Sequence, residues 1–270
     1  MVSKSAEFQR ELEVFRKEAS AAVQFFYAWQ TVNSVAGSSK PTHAALNRAP
    51  LFWNTSLGAL QTAALVTLGR IFDPKPQNHS VTRLLALAHA NLQIFSKDAL
   101  AERKRELSAN ADEWLAAYLK DAYVPSGEDF RRLKRYVAVR RKVYEQKYGP
   151  IRHRVFAHKA TTEDTDVAAL FANTNIKELQ QLLVFLRRLH EALWQLFFNG
   201  AKPALRPARY SLNQMLRLPS PSPKQAQLQE RLAHETKSLL HSLAEAPNPS
   251  IERTPSGRLR LPAVTAHVER

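Results

Sequence analysis

Apolar residues in the first 200 positions recur at intervals of three and four, the period of one helix face. Phe8, Leu12, Phe15, Ala19, Val23 and Phe26 form the first stripe. A second helix is predicted to start near Pro41 or Thr42 and to bury Leu57, Leu60, Ala64, Leu68 and Ile71. It should stop at Asp73-Pro74-Lys75-Pro76, because proline cannot continue a helix. Shorter helices are expected over about 80–95 and 97–120. After the turn Pro125-Ser126-Gly127, a long helix covers about 128–148 and meets Gly149-Pro150, where it is expected to break. A last stripe, Ile176, Leu179, Leu183, Leu186, Leu189, Leu193 and Leu196 or Phe197, ends at Asn199-Gly200, with glycine in the usual place beyond a helix. No segment alternates with the period of a strand. The pattern predicts an all-α chain, with a bundle of about five or six helices over residues 1–200.

Beyond position 200 the texture changes. Nine of the fifteen prolines fall between 203 and 262. One short amphipathic helix is expected near 224–244, with Leu228, Leu232, Leu239 and Leu243, and residues 246–270 read as a disordered tail. The organisation is therefore a helical domain over 1–200 and a Pro-rich basic extension over 201–270. Residues 49–69 carry no charge, but Pro50, Asn54, Thr55, Ser56, Gln61, Thr62 and Thr67 interrupt them. So many polar groups are unfavourable in lipid, and a protein-buried helix is expected instead of a membrane span. The N-terminal twenty residues mix charged and apolar positions and form no signal-peptide core.

The 270 residues contain no cysteine, which excludes disulfides, thiol nucleophiles and thiolate metal sites and fits a reducing, cytoplasmic setting. The net charge of +15 points to an anionic partner. Its placement is uneven. Residues 1–200 hold 28 Lys or Arg against 19 Asp or Glu, and residues 128–159 alone hold 11 against 3. Along 128–148, Phe130, Leu133, Val137, Tyr144 and Tyr148 belong to an apolar side, and Arg131, Lys134, Arg135, Arg141 and Lys142 to a cationic one. A solvated face usually mixes signs, so phosphate contact without sequence specificity is the favoured reading, and an incidental charged face is the alternative.

That helix leads into Gly149–Lys159, GPIRHRVFAHK. The stretch is a catalytic centre, a phosphate patch or the charged end of a helix. Imidazole exchanges protons near neutral pH, and guanidinium matches the oxygens of a phosphate in its transition state. RNA supplies its own 2′-hydroxyl nucleophile, so neither metal nor cofactor is needed. On an ideal α-helix Arg152 and His158 would lie about 120° apart and about 9 Å along the axis, too far to converge unless the helix is irregular or a second copy completes the site.

The run Arg152-His153-Arg154-Val155-Phe156-Ala157-His158 resembles the signature of the HEPN superfamily of all-α proteins, an Arg followed by a polar residue with a His several positions on. Leu68-Gly69-Arg70-Ile71-Phe72-Asp73-Pro74 resembles the abortive-infection U branch. The resemblance covers about residues 5–200. It implies a metal-independent endoribonuclease of a bacterial phage-defence or toxin–antitoxin system, acting as a homodimer, with an antitoxin as a further partner. It implies His158 as general acid or base, Arg152 as the phosphate grip and His153 as an orienting or assisting group. Arg131, Lys134, Arg135, Arg141, Lys142, Arg154 and Lys159 are the candidate RNA contacts. His153 stands where the family more often has Asn, and some members of the superfamily only bind. An inactive RNA-binding or partner-binding module is therefore the alternative. Arg70 and Asp73 are expected to pair locally at the helix end.

Overall fold

A computed structural model describes residues 3–75, 77–157, 169–170, 172–220 and 226–246. The described residues contain helices and no strand, so the chain is all-α. Among the described residues ten α-helices have at least six residues, and eight of them lie within 1–200, more than the five or six expected there. They are α1 (Lys4–Ser38), α2 (Lys40–Leu46), α3 (Pro50–Ile71), α4 (Val81–Ala90), α5 (Lys97–Leu107), α6 (Ala111–Asp121), α7 (Gly127–Val143), α8 (Ile176–Asn199), α9 (Leu212–Arg217) and α10 (Leu228–Glu245).

The count rises because two expected helices are each divided, 41–71 into α2 and α3 after the C-cap Asn47, and 97–120 into α5 and α6. Small polar residues sit at these and other helix ends. Ser39 caps α2 by accepting from the Thr42 N–H at 3.3 Å. Asn91 separates α4 from a 3₁₀ turn, Leu92–Phe95. Ser108 and Asn110 part α5 from α6, the Ser108 hydroxyl donating to Asn110 Oδ1 at 2.7 Å. Such side chains offer the backbone alternatives to the helix and so collect at ends.

The chain divides into two compact units. The described residues of one fall within 1–20, 67–146 and 181–208, and those of the other within 21–66, 147–180 and from 209 onward. At the heart of the first, Phe8 meets Phe95 and Phe197 with ring centroids 5.2 and 5.0 Å apart, and Phe95 meets Phe130 at 5.3 Å. These rings bring α1, the 3₁₀ turn, α7 and α8 to one point. Glu11 of α1 is buried and accepts from Arg83 Nε of α4 at 3.0 Å, with His79 Nδ1 at 2.8 Å. Gly200 ends α8 with φ +58°, and a Cβ there would come within 2.7 Å of Leu100 Cδ2. Both the left-handed backbone and the space demand glycine.

In the second unit, Tyr27 is buried and donates to the Tyr210 carbonyl at 2.6 Å, and Gln180 donates to Gln30 at 2.7 Å. α10 packs on α2 and α9. Its buried face is Gln229, Glu230, Ala233 and Leu240, whereas Leu239 is exposed and Leu228, Leu232 and Leu243 are half-buried, so the leucine stripe is not its packed face. The expected disordered tail lies outside the described residues from 247 onward.

The first stripe and the stripe of α8 are buried as expected, apart from half-buried Ile176. Leu60 is half-buried, and Leu51 and Phe52 at the start of α3 are exposed, so α3 is covered chiefly over its later turns. No helix among the described residues is long and apolar enough to cross a membrane. Arg70 does not form the expected local pair with Asp73. It reaches Glu18 at 2.8 Å, while Asp73 accepts from the Lys75 N–H and from Asn78, closing the turn after α3.

Two buried cation-forming groups give tests of this packing. Burial, reinforced by Arg187, pushes the His190 imidazole down to about 4, whereas an unfolded imidazole titrates near 6.5. The unfolded chain therefore takes up the proton first. Stability present at neutral pH should fall as pH drops from about 6.5 to about 4, by about 3 kcal/mol in all. In His190→Phe, denaturant titrations across that range should lose this part of the slope. Arg103 is buried, lies 4.0 Å over the Phe197 ring and donates to the Ile94 carbonyl at 2.9 Å, yet its Nε and Nη2 have no hydrogen-bond partner among the described residues. Burial pushes it down to about 10 despite Glu102 and Glu106. Calorimetry should find the melting temperature of Arg103→Met unchanged or raised, because the apolar stem is kept and the uncompensated charge removed. Arg103→Ala should be destabilised by about 2–4 kcal/mol through the cavity it leaves.

Candidate nucleic-acid interface and Arg-His motif

The basic helix is anchored at its start by one carboxylate. Asp129 is buried and accepts from the Ser126 N–H at 2.9 Å, Tyr123 OH at 2.7 Å, Ser126 OH at 3.1 Å and Arg132 at 2.9 Å. Burial pushes its carboxyl up, but these hydrogen bonds and the Arg132 charge outweigh it and hold the group below the usual carboxylate range. Phe130, Leu133 and Val137 are buried beneath α7, as the periodicity requires.

The cations divide into two groups. Arg131 and Arg135 lie on the exposed side and share one carboxylate, Glu128, at 3.0 and 3.1 Å. Lys142 is exposed and has no hydrogen-bond or ion-pair partner among the described residues. Lys134 and Arg141 are half-buried on the flank. Lys134 lies 3.0 Å from His89 Nδ1, and Arg141 pairs with Glu145 at 2.6 Å. The five candidates therefore do not share one face. Arg131, Arg135 and Lys142 form the solvent-facing set.

The expected break at Gly149-Pro150 is absent. After Val143 the backbone goes over to π-helical hydrogen bonding at Tyr144–Tyr148, makes one α turn at Gly149–Ile151, and is π-helical again over Arg152–Ala157. A proline inside an α-helix removes one i→i−4 bond and crowds the carbonyl four residues back. Widening to i→i+5 lets the helix pass the proline, and such turns cluster at functional sites. The angles of an ideal α-helix therefore do not apply to the motif.

Side chains fix this segment. Tyr144 stacks on Phe72 at 5.4 Å, joining the basic helix to the run that closes α3. Lys147 bonds Glu178 at 2.8 Å, and Tyr148 donates to the Asn175 carbonyl at 2.8 Å. Burial pushes the Tyr148 phenol up. A small cavity of about 40 Å³ adjoins Tyr148 and Ile151, with Phe26, Trp29, Leu65 and Leu179 among its walls. Glu178 and Asn175 escaped the sequence reading, because nothing in their spacing ties them to a segment some thirty residues earlier.

Arg152, His153 and Arg154 follow one another on the second π-helical turn. Ile151 is buried, Arg152 half-buried, and His153 and Arg154 exposed. Arg152 makes no ion pair among the described residues, and its Nε is shut from solvent without a hydrogen-bond partner. His158 and Lys159 lie outside the described residues. No cluster of three His, Cys, Asp or Glu side chains that could hold a metal occurs among the described residues.

The chain is an all-α protein whose cationic helix runs into a π-helical Arg-His-Arg turn. The family model HEPN_AbiU2 (AbiU2) matches residues 5–214, and the chain belongs to that HEPN family. The Abi of the family name denotes abortive infection, the functional class to which membership points. No curated protein and no solved structure matches the chain.

Replacing Tyr148 by Phe removes the bond to the Asn175 carbonyl at little change in volume. Urea unfolding should show a loss of about 1 kcal/mol. Tyr148→Ala, which also empties a packed site, should cost about 3–5 kcal/mol.

Proposed function

We propose that the protein is a metal-independent endoribonuclease of HEPN type, acting in bacterial phage defence or a toxin–antitoxin system. The observation that carries this reading is Arg152, a guanidinium without a carboxylate partner among the described residues and with a buried, unpaired Nε. A half-buried guanidinium with no carboxylate among the described residues to neutralise it is suited to a charge-assisted pair with a phosphate oxygen. Family membership supports the same class.

In this mechanism the 2′-hydroxyl of RNA attacks the adjacent phosphorus. The O2′–P bond forms, the P–O5′ bond breaks, and the ends are a 2′,3′-cyclic phosphate and a 5′-hydroxyl. Arg152 grips the scissile phosphate and stabilises the charge that grows on its oxygens. His158 takes or gives the proton as general acid or base, and His153 orients or assists. The protein acts as a cytoplasmic homodimer whose two motifs share a cleft, held in check by an antitoxin. Arg131, Arg135, Lys142, Arg154 and Lys159 supply phosphate contacts, with Lys134 and Arg141 at the margin.

The test is RNA incubated with the full chain in EDTA. Cleavage with cyclic-phosphate ends is expected. Arg152→Ala should lower its rate by about 10²–10³ and His158→Ala by about 10²–10⁴, with RNA affinity of the His158 variant largely kept. A metal requirement, or wild-type cleavage by His158→Ala, would overturn the mechanism. RNA binding with no cleavage by the wild-type chain would favour the binding-module alternative.

A further inference from the structure

We infer that Tyr136 is a base-stacking platform on the outer face of α7, so that this face takes single-stranded RNA by its bases as well as by its phosphates. The inference rests on RNA being the ligand, as proposed above.

Tyr136 and Val139 are 46% and 61% exposed, and Tyr136 has no ring contact or hydrogen bond with a described residue. A lone surface tyrosine would need no explanation. Here its surroundings are specific. At about 100° per residue, Tyr136, Val139 and Val143 fall within about 60° of one another, and Arg131, Arg135 and Lys142 lie within about 40° of one another beside them. An aromatic–aliphatic strip thus runs along a cationic rail. The only acid on the rail, Glu128, is already shared between Arg131 and Arg135. Arg132, one turn before Tyr136, is held by Asp129 at 2.9 Å, and Arg140, one turn after it, lies 5.6 Å from the centre of the Phe185 ring. Both neighbours are engaged by their own helix or its packing, which leaves the phenol ring open.

A surface meant only for phosphate gains nothing from an open ring, and an apolar protein partner is poorly matched to the rail. A single strand meets both halves, because its backbone follows the cations and each base has a π-face to lay on the ring. A duplex keeps its bases stacked inside and would leave the ring unused.

The test uses the full chain carrying His158→Ala, so that cleavage does not confound binding. A single-stranded oligoadenosine and inorganic polyphosphate of similar charge are the two probes. Tyr136→Ala should weaken oligoadenosine binding about 5- to 100-fold, with the salt slope and polyphosphate affinity unchanged, and Tyr136→Trp should restore it. Arg135→Ala should weaken both probes and reduce the magnitude of the slope by about 0.7. Equal losses on both probes, or no loss from Tyr136→Ala, would overturn the inference. A shift from dimer to monomer in sedimentation of Tyr136→Ala would assign the face to a second copy and overturn it too. Unchanged binding by Tyr136→Ala beside intact wild-type cleavage refutes this inference alone, whereas base-dependent binding without any cleavage refutes the enzymatic reading alone.

Discussion

Pro150 has no amide hydrogen to give, yet helical backbone runs from Gly127 to Ala157 without interruption. That constraint shapes the motif segment. The chain resolves it by changing hydrogen-bond register on both sides of the proline. The motif residues then stand on a wider helix than the one that carries the cations of α7. Neighbouring groups hold the altered register: Tyr144 against Phe72, Lys147 on Glu178 and Tyr148 on the Asn175 carbonyl. The irregular backbone and the arginine whose Nε lacks a partner among the described residues therefore occur together. Both are departures from ideal helix behaviour, and departures of this kind persist where surrounding contacts enforce them.

The packing of the first unit explains how so charged a helix stays in place. Phe130 belongs to a ring cluster shared with the start of the chain and the end of α8, and Asp129, next to it, ties the same turn to Tyr123, Ser126 and Arg132. One turn therefore supplies both the apolar anchor and the counter-charge. The rest of α7 can afford a cationic outer surface, because its attachment does not depend on balanced surface ion pairs, which contribute little when exposed.

Much of the fold was legible in the sequence. A strong helical period leaves few alternatives, and the residues it selected in α1, α7 and α8 are nearly all buried, with Asn199-Gly200 ending α8 where glycine is required. Helix boundaries were less legible. Ser108, Asn110 and Asn91 act through single side-chain hydrogen bonds that leave no trace in an apolar pattern. The leucines of α10 misled for a related reason, since its packed face mixes Gln229 and Glu230 with Ala233 and Leu240. At the motif, proline signalled an irregularity, but a break and a change of register look alike in sequence. The clamp from Asn175 and Glu178 could not be read at all, because it depends on where the chain returns after residue 157.

The match to the family ends at residue 214, but the packing does not. α10 begins at Leu228 and lies on α2, where Thr42, Ala45 and Leu46 are buried, and Arg48 donates to the Ala246 carbonyl at 3.1 Å. The limit of recognisable ancestry and the limit of the packed helices are therefore different places in this chain. A protein trimmed to its homologous portion would surrender part of the burial that seats α2. The behaviour of such a fragment would then report on its packing before it reported on what the family portion does.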